Sequence, residues 1–282
     1  MILSYHPMFV ADENRLCAGR SPDETDLAAI CRADAVILNQ GCYRSIYDMA
    51  AAHCPHVFPD YTARFDRPGK IGQARLFAAC AAPFPETCCF DELADFYAAC
   101  GTGPYAPPLA YPFVFKCSWS GEGTNVWRID DHAALARIIE YTAACEKSGQ
   151  YGFVIQALIP AGGRSLRVAV IGSTLVSYWR IQPDPDNFRT GLAEGAEIDH
   201  TADPSLQEAA KAEVRAFCRK TGVNLAGFDL IFDETANDKR PLFLEINYFF
   251  GRRGLGGSAR FYELLIDAIH DWLAARNLAV LI

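Results

Sequence analysis

No apolar run in this sequence approaches the roughly 20 residues that a membrane-spanning helix needs. A bilayer-spanning helical protein is therefore not expected. The opening residues, Met1-Ile2-Leu3-Ser4-Tyr5-His6-Pro7, lack the basic stretch and apolar core of a secretory leader. There is no CxxC pair and no zinc-type spacing of Cys and His. The 11 cysteines are odd in number, which does not suit a secreted disulfide framework. Cys88 and Cys89 are adjacent, and neighbours in a strand point to opposite faces. The cysteines read as reduced, small core residues in a cytoplasmic protein. Positive charge is in deficit, with 26 Lys and Arg against 34 Asp and Glu, a net charge of -8. Non-specific nucleic-acid binding is disfavoured by that balance. No internal repeat or low-complexity tract is visible. No Ser-His-Asp or Cys-His nucleophile motif occurs either.

What is present is a chain of 282 residues, 51% hydrophobic, enough for two or three packed lobes. Ser21-Pro22-Asp23-Glu24 has the form of a capping box with Ser21 as N-cap, predicting a helix to Arg32. Short strands are expected at 35–38 and 56–58, with a helix over 45–52 between them. Arg64 to Pro68 reads as a polar break, and 68–82 as a helix closed by Pro83 and Pro85. A strand over 86–90, a helix capped by Asp91, strands over 112–117 and 125–129, and a helix from Asp130 or Asp131 follow. The remainder is strand-rich, at 153–158, 166–171, 174–180, 223–232 and 241–246. Gly172-Ser173 forms a hairpin turn. Helices are predicted from Asp203-Pro204 to Gly222 and over 258–275. This is a mixed α+β pattern without the regular βα alternation of a doubly wound nucleotide fold.

Three segments carry chemistry. In Leu242-Phe243-Leu244-Glu245-Ile246-Asn247, strand alternation sets Glu245 and Asn247 on one face. A carboxylate and an amide oxygen there can bind a hard cation such as Mg²⁺, or stand as the solvent face of an edge strand. In Ala226-Gly227-Phe228-Asp229-Leu230-Ile231, an Asp sits inside an apolar run, where it is costly unless paired or bound to metal. A hairpin joining the two strands would let Asp229 face Glu245. Third, Lys116 ends an apolar strand and is followed by Cys117-Ser118-Trp119-Ser120-Gly121-Glu122-Gly123. The lysine can meet phosphate, and the Ser/Gly loop can offer backbone N–H groups to it. The Lys precedes the glycines, so this is not a Walker loop.

The order of these features, with Gln156-Ala157-Leu158-Ile159-Pro160 between them, resembles the ATP-grasp superfamily, and within it the peptide-ligase branch. That branch includes ribosomal-protein glutamate ligases, glutathione synthetases and D-alanine–D-alanine ligases. The resemblance runs from about Asp66 to Gly257. It implies a small α/β N-terminal lobe over 1–65. An α+β ATP-grasp fold would follow, with subdomains over 66–150 and 151–282 clasping ATP. It also implies roles for particular residues. Lys70 and Lys116 correspond to the two phosphate lysines. Ser118, Ser120, Gly121 and Gly123 lie in the loop that closes over the phosphates. Gln156, Ala157, Leu158 and Ile159 form the adenine-binding hinge. Ala157 stands where the family often has Glu, which leaves adenine to backbone groups. Ser165 stands at the position of the acid that contacts ribose. Arg167, Arg180 and Arg189 correspond to arginines of the phosphoryl-transfer site. Asp229, Glu245 and Asn247 match the metal triad. Arg252 and Arg253 follow the metal strand, where either could hold a substrate carboxylate.

The activity implied is ATP-dependent joining of a small-molecule or peptide carboxylate to an amine, or less often a thiol, through an acyl-phosphate. Two Mg²⁺ ions, or Mn²⁺ in their place, would accompany ATP. Neither nucleic acid nor membrane is an expected partner, and a homodimer would be ordinary. A nucleotide-binding regulatory protein without turnover and a small-molecule kinase of the same fold are the alternatives. Asp229→Ala and Glu245→Ala are expected to abolish turnover and leave the fold intact.

Overall fold

The computed structural model describes residues 1–103, 105–119 and 125–281. Four short parallel strands open the chain: β1 (Ile2–Ser4), β2 (Glu13–Asn14), β3 (Ala35–Ile37) and β4 (Val57–Phe58), in spatial order β2-β1-β3-β4. The strands β1 and β2, three and two residues long, are not expected from the sequence, whereas β3 and β4 are.

Helices α1 (Glu24–Arg32) and α2 (Arg44–His53) connect β2 to β3 and β3 to β4. The N-cap of α1 is Asp23, not Ser21. Its carboxylate accepts from the Thr25 and Asp26 N–H groups at 2.9 and 3.1 Å, and the Asp26 side chain returns the bond to Asp23 N–H at 3.0 Å. A carboxylate serves this end of the helix dipole better than a hydroxyl. The expected polar break contains a one-turn helix, α3 (Thr62–Asp66), before α4 (Gly69–Ala79).

The second sheet is built from β5 (Thr87–Phe90), α5 (Leu93–Cys100), β6 (Phe113–Cys117), β7 (Val126–Ile129), α6 (His132–Lys147) and β8 (Phe153–Ala157). Its strands are antiparallel in order β5-β8-β6-β7. Glu92, not Asp91, is the N-cap of α5, with its N–H donating to Asp95 at 3.3 Å. Asp131 caps α6 by accepting from Ala134 N–H at 2.7 Å.

The third sheet contains β9 (Arg164–Ile171), β10 (Thr174–Ile181), β11 (Glu197–Asp199), β12 (Leu225–Ile231) and β13 (Leu242–Asn247), antiparallel in order β11-β10-β9-β12-β13. The edge strand β11 is not expected from the sequence. The β9–β10 turn passes through Gly172 at φ +62°, where a Cβ would stand 2.7 Å from that of Ala268. Glycine is required there by both backbone and packing. Helices α7 (Pro204–Thr221) and α8 (Gly257–Ala274) flank this sheet and complete the fold.

The core is divided. One large cluster joins the first sheet to the third, with Leu3, Ile30 and Val36 packed in the same body as Leu166, Val168 and Phe228. A second cluster, on the α8 side, likewise joins Ile2 and Ile37 to Ile171, Phe261 and Leu265. The middle sheet has its own cluster, drawn entirely from residues 88–155 and centred on stacked Phe115 and Phe153. Among the described residues no helix is long and apolar enough to cross a membrane. All eleven cysteines are free thiols, five of them buried.

Candidate active site

Hydrogen bonding between β12 and β13 sets Asp229 opposite Glu245 and Gly227 opposite Asn247. On its other side β12 pairs with β9, which sets Asp229 opposite Arg167. The Asp229 carboxylate accepts from Arg167 at Nε (2.5 Å) and Nη2 (3.0 Å), and from Asn247 Nδ2 (3.0 Å). Arg180 reaches it from β10 at 2.8 Å. Asp229 and Arg167 are each only 7% exposed. Burial pushes the Asp229 carboxyl upward, but the two guanidiniums more than offset this and hold its pKa below the usual value. Burial likewise works against the charge on Arg167, and Asp229 outweighs it.

Ser165 is fully buried. Its hydroxyl accepts from Arg180 Nη2 at 3.0 Å and from the Thr190 hydroxyl at 2.7 Å. The side chain at the position expected to meet ribose thus holds Arg180 in place. Arg189 does not join this group: its guanidinium pairs with Glu194 at 3.1 Å within the loop after β10.

Two lysines arrive from other elements. Lys116, on β6, donates from Nζ to Gln156 Oε1 at 2.5 Å, and Gln156 Nε2 donates to Thr87 Oγ1 at 2.8 Å. Burial lowers the Lys116 pKa to about 8; the Glu245 carboxylate pulls upward and Lys70 pushes down. Lys70 sits in the first turn of α4, its pKa lowered by burial against the attraction of Glu245. Ser118 braces that turn. Its hydroxyl accepts from Ile71 N–H at 3.3 Å, and at Gly69 a Cβ would come within 2.6 Å of it. Glu245 therefore attracts lysines from two separate elements. Ser120, Gly121 and Gly123 lie outside the described residues.

The segment Ala157-Leu158-Ile159 leaves the middle sheet at the end of β8 and leads toward β9 of the third sheet. The Ala157 N–H is used by the Glu86 carbonyl at 2.9 Å. Leu158 and Ile159 are partly exposed at the crossing. Arg252 sits over Phe261 and Tyr262, with its guanidinium carbon 4.5 Å from each ring centre. Arg253 is exposed and begins the short 3₁₀ turn that follows.

Sequence reasoning does not single out Gln73. From α4 it clamps the metal strand, donating to the Ile246 carbonyl at 2.8 Å and accepting from the Ile246 N–H at 2.9 Å. A lone glutamine in a helix carries no sequence signal for such a role. Among the described residues no three of His, Cys, Asp and Glu cluster together. The candidate donor set is instead two carboxylates and an amide, all hard oxygen donors. Asn247 spends its Nδ2 on Asp229, which leaves Oδ1 to face a cation. The residues fit Mg²⁺, although the Asp229 oxygens already carry four N–H contacts and would share them.

A middle sheet and a larger sheet joined by the segment after β8, with one lysine from the middle sheet, another from α4 and acids from the larger sheet, fit the ATP-grasp class. An ATP-grasp protein with a RimK domain from Sphaerobacter thermophilus shares the fold at a TM-score of 0.60, covering 95% of this chain and 98% of that one at 17% identity. D-alanine–D-alanine ligase from Bacillus anthracis also gives 0.60, over 94% of this chain and 86% of its own, at 14% identity. The chain belongs to the family of RimK-like ATP-grasp domains, whose model matches residues 104–260. A probable alpha-L-glutamate ligase 1 from Hahella chejuensis is 28% identical over 145 residues, covering 51% of this chain and 44% of that protein. The protein of the same name from Shewanella amazonensis is 27% identical over 148 residues, 52% of this chain and 46% of its own. The match thus spans under half the length of these curated relatives.

Proposed function

We propose that this chain is an ATP- and Mg²⁺-dependent ligase that joins a carboxylate to an amine through an acyl-phosphate. One observation carries the reading: Glu245, paired with Asp229 on adjacent strands, is approached by Lys116 from the middle sheet and by Lys70 from α4. Glu245, Asn247 Oδ1 and an Asp229 oxygen would hold Mg²⁺, which when bound neutralises the phosphate oxygens of ATP. Lys70 and Lys116 stabilise the charge spreading over the transferred phosphoryl group. Arg180, steadied by Ser165 and Asp229, faces the same region. The backbone of Leu158 and Ile159 offers the hinge where a purine can bind.

In this scheme a substrate carboxylate oxygen attacks the γ-phosphorus, the bond to the β,γ-bridging oxygen breaks, and ADP leaves. The amine nitrogen then attacks the acyl carbon, phosphate departs, and the nitrogen loses a proton. Relatives named as glutamate ligases support amino-acid or peptide substrates.

The test is ADP release from the purified chain with Mg·ATP, screened against pools of amino acids and small carboxylates. Release that requires both a carboxylate and an amine supports the ligase; release with one partner alone points to a kinase or an uncoupled half-reaction. The close hold of Arg167 and Arg180 on Asp229 favours a second reading, a nucleotide-binding protein without turnover. Tight Mg·ATP binding with no ADP from any pool would point to it, or to a macromolecular acceptor absent from the pools.

A further inference from the structure

A second concavity, of about 330 Å³, opens at the carboxyl ends of the first sheet's strands. Strand β1 lies between β2 and β3, so the loops that leave these strands diverge around a crevice. In open parallel sheets such a switch point is where small molecules bind. Tyr5 follows β1, Leu16 and Cys17 follow β2, and Asn39, Cys42 and Tyr43 follow β3; all line the cavity. No charged side chain is among its lining residues. Two guanidiniums stand behind the lining. Arg64 donates to the Gln40 carbonyl at 3.2 Å and lies over the Tyr61 and Phe65 rings. Arg20 pairs with the fully buried Asp26 at 2.6 Å, and Tyr5 donates to the same carboxylate at 2.9 Å.

The segment that follows the metal strand reaches the cavity wall. Phe249 lies two residues beyond Asn247, the end of β13. The Phe249 ring closes on Gly41 in the cavity wall, 3.8 Å from where a Cβ would stand. Leu16, Tyr43 and Phe249 are 64%, 61% and 68% exposed. Large apolar side chains gathered in the open around one cavity mark a binding surface. Arg252, three residues beyond Phe249, lies close enough to His6, which burial and this guanidinium together keep neutral, to act on it electrostatically. His6 stands between Tyr5 and Pro7 of the lining. No carboxylate among the described residues forms a salt bridge with Arg252.

We propose that this cavity sets substrate choice, and that it takes an uncharged apolar or aromatic side chain. The substrate would be a hydrophobic amino acid, or a peptide ending in one, with its carboxylate end toward Arg252. The proposal rests on the ligase reading for its chemistry. An apolar side chain exchanges water for Leu16, Tyr43, Phe249 and the thiols of Cys17 and Cys42. A second carboxylate, as in glutamate, would lose water among lining residues that carry no charge. This chain would then differ in side-chain choice from the relatives named as glutamate ligases.

The experiment uses the full chain. Binding of L-phenylalanine, L-leucine, L-glutamate and L-lysine is measured calorimetrically without nucleotide, and ADP release is measured with each in the presence of Mg·ATP and an amine pool. Phenylalanine or leucine should bind roughly tenfold or more tightly than glutamate or lysine. Leu16→Arg places a cation at the exposed rim without touching the core. It should weaken phenylalanine binding by about the same factor and improve glutamate binding. Preference for glutamate or lysine in the unaltered chain, no binding of any of the four, or an unchanged preference in folded Leu16→Arg overturns the proposal. Phenylalanine binding without ADP release from any pool upholds the cavity assignment and sinks the ligase reading. ADP release driven only by charged amino acids does the reverse.

Discussion

Asp229 and Glu245 face each other across one ladder, yet they answer different physical demands. Asp229 balances two guanidiniums in a nearly dry site, so its removal strands buried positive charge. Asp229→Ala should destabilise the fold by about 3–5 kcal/mol in a denaturant titration. This revises the expectation from sequence that the variant stays intact. Glu245 is only partly buried, and Glu245→Ala should cost within about 1 kcal/mol while abolishing ADP release. Normal turnover in a folded Glu245→Ala protein would remove Glu245 from the metal site. Lys116 gives a prediction of opposite sign. Its pKa falls from an unfolded value of 10.5 to about 8, so the folded state disfavours the charged form. That cost is fully present below pH 8, reaches up to about 3 kcal/mol, and fades as pH rises toward 10.5. Lys116→Met should therefore raise Tm at pH 7 and weaken Mg·ATP binding. A lowered Tm, or unchanged ATP affinity, would contradict this account.

At the level of elements, the site depends on the close approach of β9, β12 and β13. At Gly227, opposite Asn247, a Cβ would lie 2.8 Å from Arg167 Nη1 and 3.1 Å from the Phe250 Cβ. Gly227→Ala should push Arg167 away from Asp229 and lower stability by about 1–3 kcal/mol. Unfolding curves that superimpose on those of the unaltered chain would show that the guanidinium has room to move. The clamp from α4 is a separate control. Gln73→Ala removes both partners of the Ile246 backbone at once, and an unpaired buried polar group costs about 1–3 kcal/mol. Faster amide exchange at Ile246 than at Leu230 on the neighbouring strand is the expected sign.

On the scale of the whole molecule, the division of the core matters most. The first and third sheets share their clusters, whereas the middle sheet packs around its own phenylalanines. We infer that residues 1–65 do not fold as a lobe by themselves, and that the middle sheet is the separable unit. Phe115→Ala, in the stack with Phe153 at 4.6 Å, should cost about 3–5 kcal/mol within that sheet. Hydrogen exchange should accelerate across β5, β6 and β8 and leave β9 and β12 protected. Equal loss of protection in both sheets would mean the protein unfolds as one unit.

Short apolar runs in the sequence determined the strands that carry Lys116, Asp229 and Glu245, because each polar residue interrupts or ends such a run. Capping signals located α6 and α7, whose caps are Asp131 and Asp203. The short strands β3 and β4 were legible as apolar runs between helices, whereas β1, β2 and β11, equally short, were not expected. Only the tertiary structure decided that Asp229 is shared between two arginines, because β9 and β10 must pack beside β12 before those charges meet. It alone brought Gln73 to Ile246 and Phe249 to Gly41, contacts across more than 170 and 200 residues of chain. Local propensity cannot encode such contacts. They arise when apolar faces far apart in the chain leave water together.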